Sequence, residues 1–134
     1  TPFTPAVPLI FALQEALKML KEEGIENRIK RHLDCSRSMR EGLKALGLKL
    51  FPKDEKYASK TVTASWGPQA VPVADVIKTL LDDTGIVIAG GMGETKGKIF
   101  RVGTMGVCTQ KEVKLTLDGI KTVISKLSTK PKKP

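Results

Sequence analysis

Two stretches of helical periodicity bracket a glycine-rich, strand-like centre, and this arrangement limits the architectures open to the chain. Val73, Val76, Ile77, Leu80 and Leu81 recur at the spacing of a single helix face, as do Val113, Leu117, Ile120, Ile124 and Leu127. Each stripe demands an apolar surface to cover it. Between the stripes, residues 86–89 read Ile-Val-Ile-Ala and residues 99–102 read Ile-Phe-Arg-Val, runs that suit strands. Helices with one apolar face and strands that follow one another predict a sheet covered on one side.

The loop joining those strands, Gly90-Gly91-Met92-Gly93-Glu94-Thr95-Lys96-Gly97, lets the backbone take unusual angles and lets other groups approach closely. In the strand after it, Ile99 and Arg101 share one face and Phe100 and Val102 the other, because side chains alternate along a strand. A guanidinium held on a strand, just before the Gly103-Thr104-Met105-Gly106 turn, suits a fixed carboxylate or phosphate, which its planar fork can grip with two parallel hydrogen bonds. Arg101 is therefore the candidate binding residue. The loop itself is not a nucleotide motif. Gly-x-Gly-x-x-Gly would need glycine at Lys96, and a Walker A loop would need glycine at Met92 and Ser or Thr at Ile99.

The preceding half reads as two helices and two strands. Thr4 can cap a helix and Pro5 fits its first turn, with Leu9, Leu13, Ala16, Leu17 and Leu20 forming an apolar face. Gly24 breaks that helix, and Ile25, Ile29, Leu33, Ser36, Met39, Leu43 and Leu46 line the next, which Gly47 ends. Residues 48–51 are a short strand stopped by Pro52, residues 53–60 a polar surface loop, and residues 61–66 a β-branched strand ending at Trp66. Pro72 opens the third helix, and Thr109-Gln110-Lys111-Glu112 has the form of a capping box for the last. The order α-α-β-β-α-β-β-α predicts an α+β fold: a four-stranded, mostly antiparallel sheet with helices on one face, preceded by a long helical segment.

The chain has 134 residues, enough for one domain with a real core, and no apolar run long enough for a membrane span. With no basic-then-apolar leader, a cytoplasmic origin is the expectation. The chain opens at Thr1 without methionine, which reads as a processed polypeptide or a piece of a longer one. Cys35 and Cys108 lack metal-ligand spacing and read as free, buried thiols in a reducing compartment; no metal site is expected. His32, the only histidine, has no nucleophile or carboxylate pattern around it and reads as structural or surface. The net charge of +9 is spread over helices and the last residues; without stacking aromatics or a motif, it reads as a solvated basic surface rather than a nucleic-acid site. A stand-alone module binding a small carboxylate through Arg101, and a basic RNA-binding domain, are the readings in other functional classes.

Several segments together resemble the C-terminal portion of class V aminotransferases, the serine–pyruvate and alanine–glyoxylate branch above all. They are Thr1-Pro2-Phe3-Thr4-Pro5-Ala6-Val7, residues 22–28 with Arg31-His32, residues 42–48, and residues 99–106 reading Ile-Phe-Arg-Val-Gly-Thr-Met-Gly. The resemblance implies a fold-type I, pyridoxal-phosphate-dependent homodimer. In such enzymes a large domain carries the Schiff-base lysine, and a small C-terminal domain supplies an arginine for the substrate carboxylate. Arg101 matches that arginine, and Thr4 matches a residue reaching the cofactor phosphate of the neighbouring subunit. The implied reaction moves an amino group from alanine, serine or aspartate to a 2-oxo acid such as glyoxylate or pyruvate. No lysine here matches the Schiff-base lysine, so the chain alone is expected to be inactive without the large domain. The domain reading that follows is a leading segment and interdomain helix over residues 1–24, a small α+β domain over 25–128, and a disordered basic tail over 129–134.

Overall fold

The computed structural model describes residues 3–129, which fall into two compact units bordering at Arg31 and His32. Most of the expected tail, from Lys130 onward, lies outside the described residues.

The first unit holds α1 (Val7–Glu23) and the opening turns of α2 (Ile25–Ala45). Gly24 separates the two helices with φ 81°, a left-handed value that only glycine adopts without strain. The first helix starts later than Thr4 and Pro5 predict. Its N-cap is Ala6, which has no side-chain cap, and it is Pro8 that sits in the first turn, where a missing N–H costs nothing. Thr4 is thus not a helix cap. No residue of α1 is buried, and Leu9, Ile10, Phe11, Leu13 and Leu17 leave an apolar surface exposed.

In the second unit, α2 ends in a Schellman motif: the N–H of Gly47 donates to the carbonyl of Lys44, and that of Leu48 to the carbonyl of Leu43. The sheet follows, built from β1 (Val62–Trp66), β2 (Ala89–Gly90) and β3 (Ile99–Gly103), with α3 (Val73–Thr84) before β2 and α4 (Gln110–Ser128) after β3. The strand order is β1-β3-β2 and both pairings are antiparallel. The sheet therefore has three strands where the sequence predicts four. Residues 48–51 join β1 only through a Leu50–Ser65 bridge, flanked by bonds from Phe51 N to Ala64 O and from Trp66 N to Lys49 O. Pro52, which lacks an N–H, stops the pairing there.

The expected alternation holds. Phe100 and Val102 are buried against Met39 and Leu43 of α2, Val76 and Leu80 of α3, and Val113, Ile120 and Val123 of α4. Thr63 and Ser65, the cross-strand partners of Val102 and Phe100, are buried on the same face. The buried stripes of α2, α3 and α4 thus share one side of the sheet, and full burial of a side chain such as Phe100 contributes about 1.5–3 kcal/mol. The opposite face, bearing Arg101, has no helix on it among these core residues. At the start of α4 the capping box forms as expected: Thr109 accepts from Lys111 N, and Glu112 accepts from Thr109 N at 2.9 Å and from the Thr109 hydroxyl.

Candidate functional site

Arg101 occupies the middle of the central strand, on the face turned away from the helices. Its cross-strand partners there are Ala64 of β1 and Ala89 of β2, so the smallest side chains that still keep a Cβ stand on either side of it. Its Nε donates to the carbonyl oxygen of Gly90 at 2.9 Å. Among the described residues the two terminal nitrogens make no hydrogen bond or ion pair, and no carboxylate there pairs with the charge. The side chain is half-buried. An arginine with its inner nitrogen anchored and its outer fork open is arranged to grip a planar anion with two oxygens.

The anchor comes from the glycine loop. Ala89 and Gly90 pair with Arg101 and Phe100, and the N–H of Gly91 continues the ladder to the carbonyl of Ile99 at 3.0 Å. A tight turn, Gly93–Thr95, then reverses the chain. Gly91 is enclosed by it: a Cβ there would stand 2.2 Å from the backbone oxygen of Thr95, closer than any real contact. The Thr95 hydroxyl closes the turn, donating to Met92 O at 2.7 Å and accepting from Met92 N at 3.1 Å.

Thr4, the other expected site residue, is exposed ahead of α1 in the first unit. Its hydroxyl has no hydrogen-bond partner among the described residues. Thr1 lies outside those residues. Cys35 and Cys108 are both free; Cys35 is buried and Cys108, expected buried, is only half so. The Cys35 thiol lies 3.5 Å from the carbonyl oxygen of Cys108. No group of three metal-ligating side chains occurs among the described residues. No helix there is long and apolar enough to cross a membrane. Shallow grooves of about 410 and 570 Å³ run on either side of Trp66, and Arg101 lines neither.

Two charged constellations were not anticipated. Glu23, just before Gly24, accepts from Arg31 Nε at 2.6 Å, Arg31 Nη2 at 2.9 Å and Arg28 Nε at 2.8 Å. The Arg31 hydrogen bond, followed by that of Arg28, pulls its pKa down to about 2. The signal was visible as an acid directly before a helix-breaking glycine with arginines one and two turns on. In the second unit, Arg40 is buried with its Nε 3.4 Å from Glu55, whose carboxyl is held below the usual range chiefly by Lys44 at 2.7 Å.

No protein-family model matches the chain. It is 43% identical over 127 residues to an uncharacterised aminotransferase of Methanocaldococcus jannaschii, covering 95% of this chain and 33% of that protein. It is 38% identical over 105 residues to a serine–glyoxylate aminotransferase of Methylorubrum extorquens, covering 78% of this chain and 26% of the relative. The crystal structure of the ureidoglycine–glyoxylate aminotransferase of Bacillus subtilis superposes with a TM-score of 0.89 at 34% identity, over 95% of this chain and 33% of that one. The chain thus spans about a third or less of the length of these relatives.

Proposed function

This chain is homologous to class V aminotransferases over about a third of their length, and on that premise we propose that it is the part of such an enzyme that supplies the substrate-carboxylate arginine, Arg101. The whole enzyme moves an amino group from alanine, serine or aspartate to a 2-oxo acid of the glyoxylate or pyruvate type. All of these molecules share a carboxylate next to the reacting carbon, and that carboxylate is the group Arg101 is arranged to take. The observation that carries the reading is the anchored guanidinium, on the face of the sheet away from the helices, whose outer fork has no partner among the described residues.

The chemistry of the residues also fits pyridoxal phosphate. Thr4 has an exposed hydroxyl without a partner among the described residues, a donor suited to a phosphate oxygen. Pyridoxal phosphate, when bound, supplies the electron sink and carries the amino group. What this chain contributes is positioning. Arg101 fixes one end of the amino or oxo acid, so that the proton at the neighbouring carbon is lost and regained in a constant orientation. The glycines before and after β3 give that strand room to approach a second domain on closure.

The rest of the reading concerns what stands outside the chain. A lysine-bearing large domain holds most of the cofactor, the enzyme works as a cytoplasmic homodimer, and Thr4 serves the cofactor of the neighbouring subunit. The exposed apolar face of α1 suits cover by such a domain. Within this scheme residues 1–24 lead into the small domain, which runs over 25–128. The 134-residue chain given pyridoxal phosphate, alanine and glyoxylate should then show no turnover, and the same sequence joined to its large domain should show it. Turnover by the chain alone would refute the scheme.

A further inference from the structure

The strand carrying Arg101 does not by itself determine where the guanidinium points; the loop on its flank does. We propose that Thr95, working with Gly91, is a positioning residue for Arg101, fixing the Gly90 carbonyl that aims the guanidinium. This rests on the reading of Arg101 as the substrate-carboxylate residue.

The chain of contacts is continuous. Arg101 Nε donates to Gly90 O at 2.9 Å, so the direction of that carbonyl sets the plane of the guanidinium and hence where its outer nitrogens lie. The peptide carrying this carbonyl ends in the N–H of Gly91, which bonds to Ile99 O at 3.0 Å. On its outer side the peptide is confined by the turn, since the Thr95 oxygen occupies the space a Cβ on Gly91 would need. Three bonds close that turn on itself: Thr95 N to Met92 O at 3.1 Å, Thr95 hydroxyl to Met92 O at 2.7 Å, and Met92 N to the Thr95 hydroxyl at 3.1 Å. The carbonyl of Thr95 then accepts from Lys98 N at 3.0 Å, which ties the turn to the start of β3. One hydroxyl thus serves both as donor and as acceptor in the turn that holds the anchor in place. An anchor set in advance spares the substrate the cost of ordering the arginine.

The test compares Thr95→Val, which keeps the shape and removes the hydroxyl, with Thr95→Ser, which keeps the hydroxyl, in the full-length enzyme. Thr95→Val should raise KM for the amino donor about tenfold, the cost of losing one well-placed hydrogen bond, while kcat changes far less. Thr95→Ser should restore the KM. A wild-type KM in Thr95→Val, or equal damage in both variants, overturns the proposal. A second measurement does not depend on the variants folding. The Nε–H of Arg101, followed by NMR in the 134-residue chain, should exchange with solvent at least about tenfold more slowly than an unbonded arginine. Exchange as fast as that of a free guanidinium overturns the proposal whatever the kinetics show. Arg101→Ala separates the two ideas. If it leaves the donor KM unchanged while the Nε–H remains protected in the wild type, the substrate role fails and the anchored geometry stands.

Discussion

Ala64 stands directly across the β1–β3 ladder from half-buried Arg101, and its small side chain brings no charge up to the guanidinium. Cross-strand partners on one face lie close enough for their side chains to interact, and opposite charges there attract. Ala64→Glu should therefore offer Arg101 an internal carboxylate that competes with the substrate. In the full-length enzyme this predicts a donor KM raised about tenfold, the scale of one hydrogen bond to a charged group. Ala64→Gln should have a much weaker effect. Steady-state kinetics on the two variants check this, and equal behaviour of Glu and Gln would count against an anion-seeking arginine.

Glu23 gives the first unit a pH dependence whose sign follows from its pKa. Arg31 and Arg28 lower its pKa from the usual 4.5 to about 2, so the unfolded chain binds the proton more readily than the folded one. The stabilisation is fully present above pH 4.5 and is lost as the pH falls from 4.5 towards 2. Glu23→Gln should be less stable at neutral pH and should lose the part of the acid sensitivity that belongs to this window. Helicity and thermal midpoints recorded from neutral pH downward test it; parallel curves for the two proteins would contradict it.

The cap of α4 is a local stability test. The Thr109 side chain accepts from Lys111 N and its backbone N–H is taken by Glu112. Thr109→Ala removes the side-chain part and should cost about 1 kcal/mol, typical of a lost N-cap, while Thr109→Ser should cost a few tenths at most. Chemical denaturation measures both.

Thr4 carries the cofactor part of the reading. Thr4→Val should weaken the affinity of the full-length enzyme for pyridoxal phosphate several-fold, as expected for one lost hydrogen bond to a charged acceptor. It should leave the thermal stability of the cofactor-free protein unchanged, because the hydroxyl caps no helix. A titration followed by cofactor absorbance decides it.

Much of this architecture was legible in local pattern. The apolar stripes of α3 and α4, the break at Gly24 and the box at Thr109 are all written within a few residues, where spacing alone carries the information. The two faces of β3 followed from alternation, and the placing of Arg101 on the open one followed with them. Part of what was missed depends on partners reached across the sheet, and part on a choice between equally permitted local patterns. Residues 48–51 look like a strand, but their pairing is limited to the Leu50 bridge by the proline that follows. Thr4 and Pro5 form a plausible helix start, yet Ala6 and Pro8 provide an equally permitted one and the helix begins there. The carbonyl that anchors Arg101 belongs to Gly90, which only the β2–β3 register brings alongside it. No periodicity reveals a backbone acceptor reached across a sheet.

The role of Arg101 is tested most directly by measuring kcat/KM for alanine or serine in the full-length enzyme with Arg101→Ala and Arg101→Lys. Loss of a two-pronged charged contact, at about 1.5–3 kcal/mol per hydrogen bond, predicts a fall of about 100-fold or more for alanine and a smaller fall for lysine, which keeps the charge and loses the fork. An Arg101→Ala enzyme that folds, binds its cofactor and turns over amino donors with the wild-type kcat/KM would contradict the account.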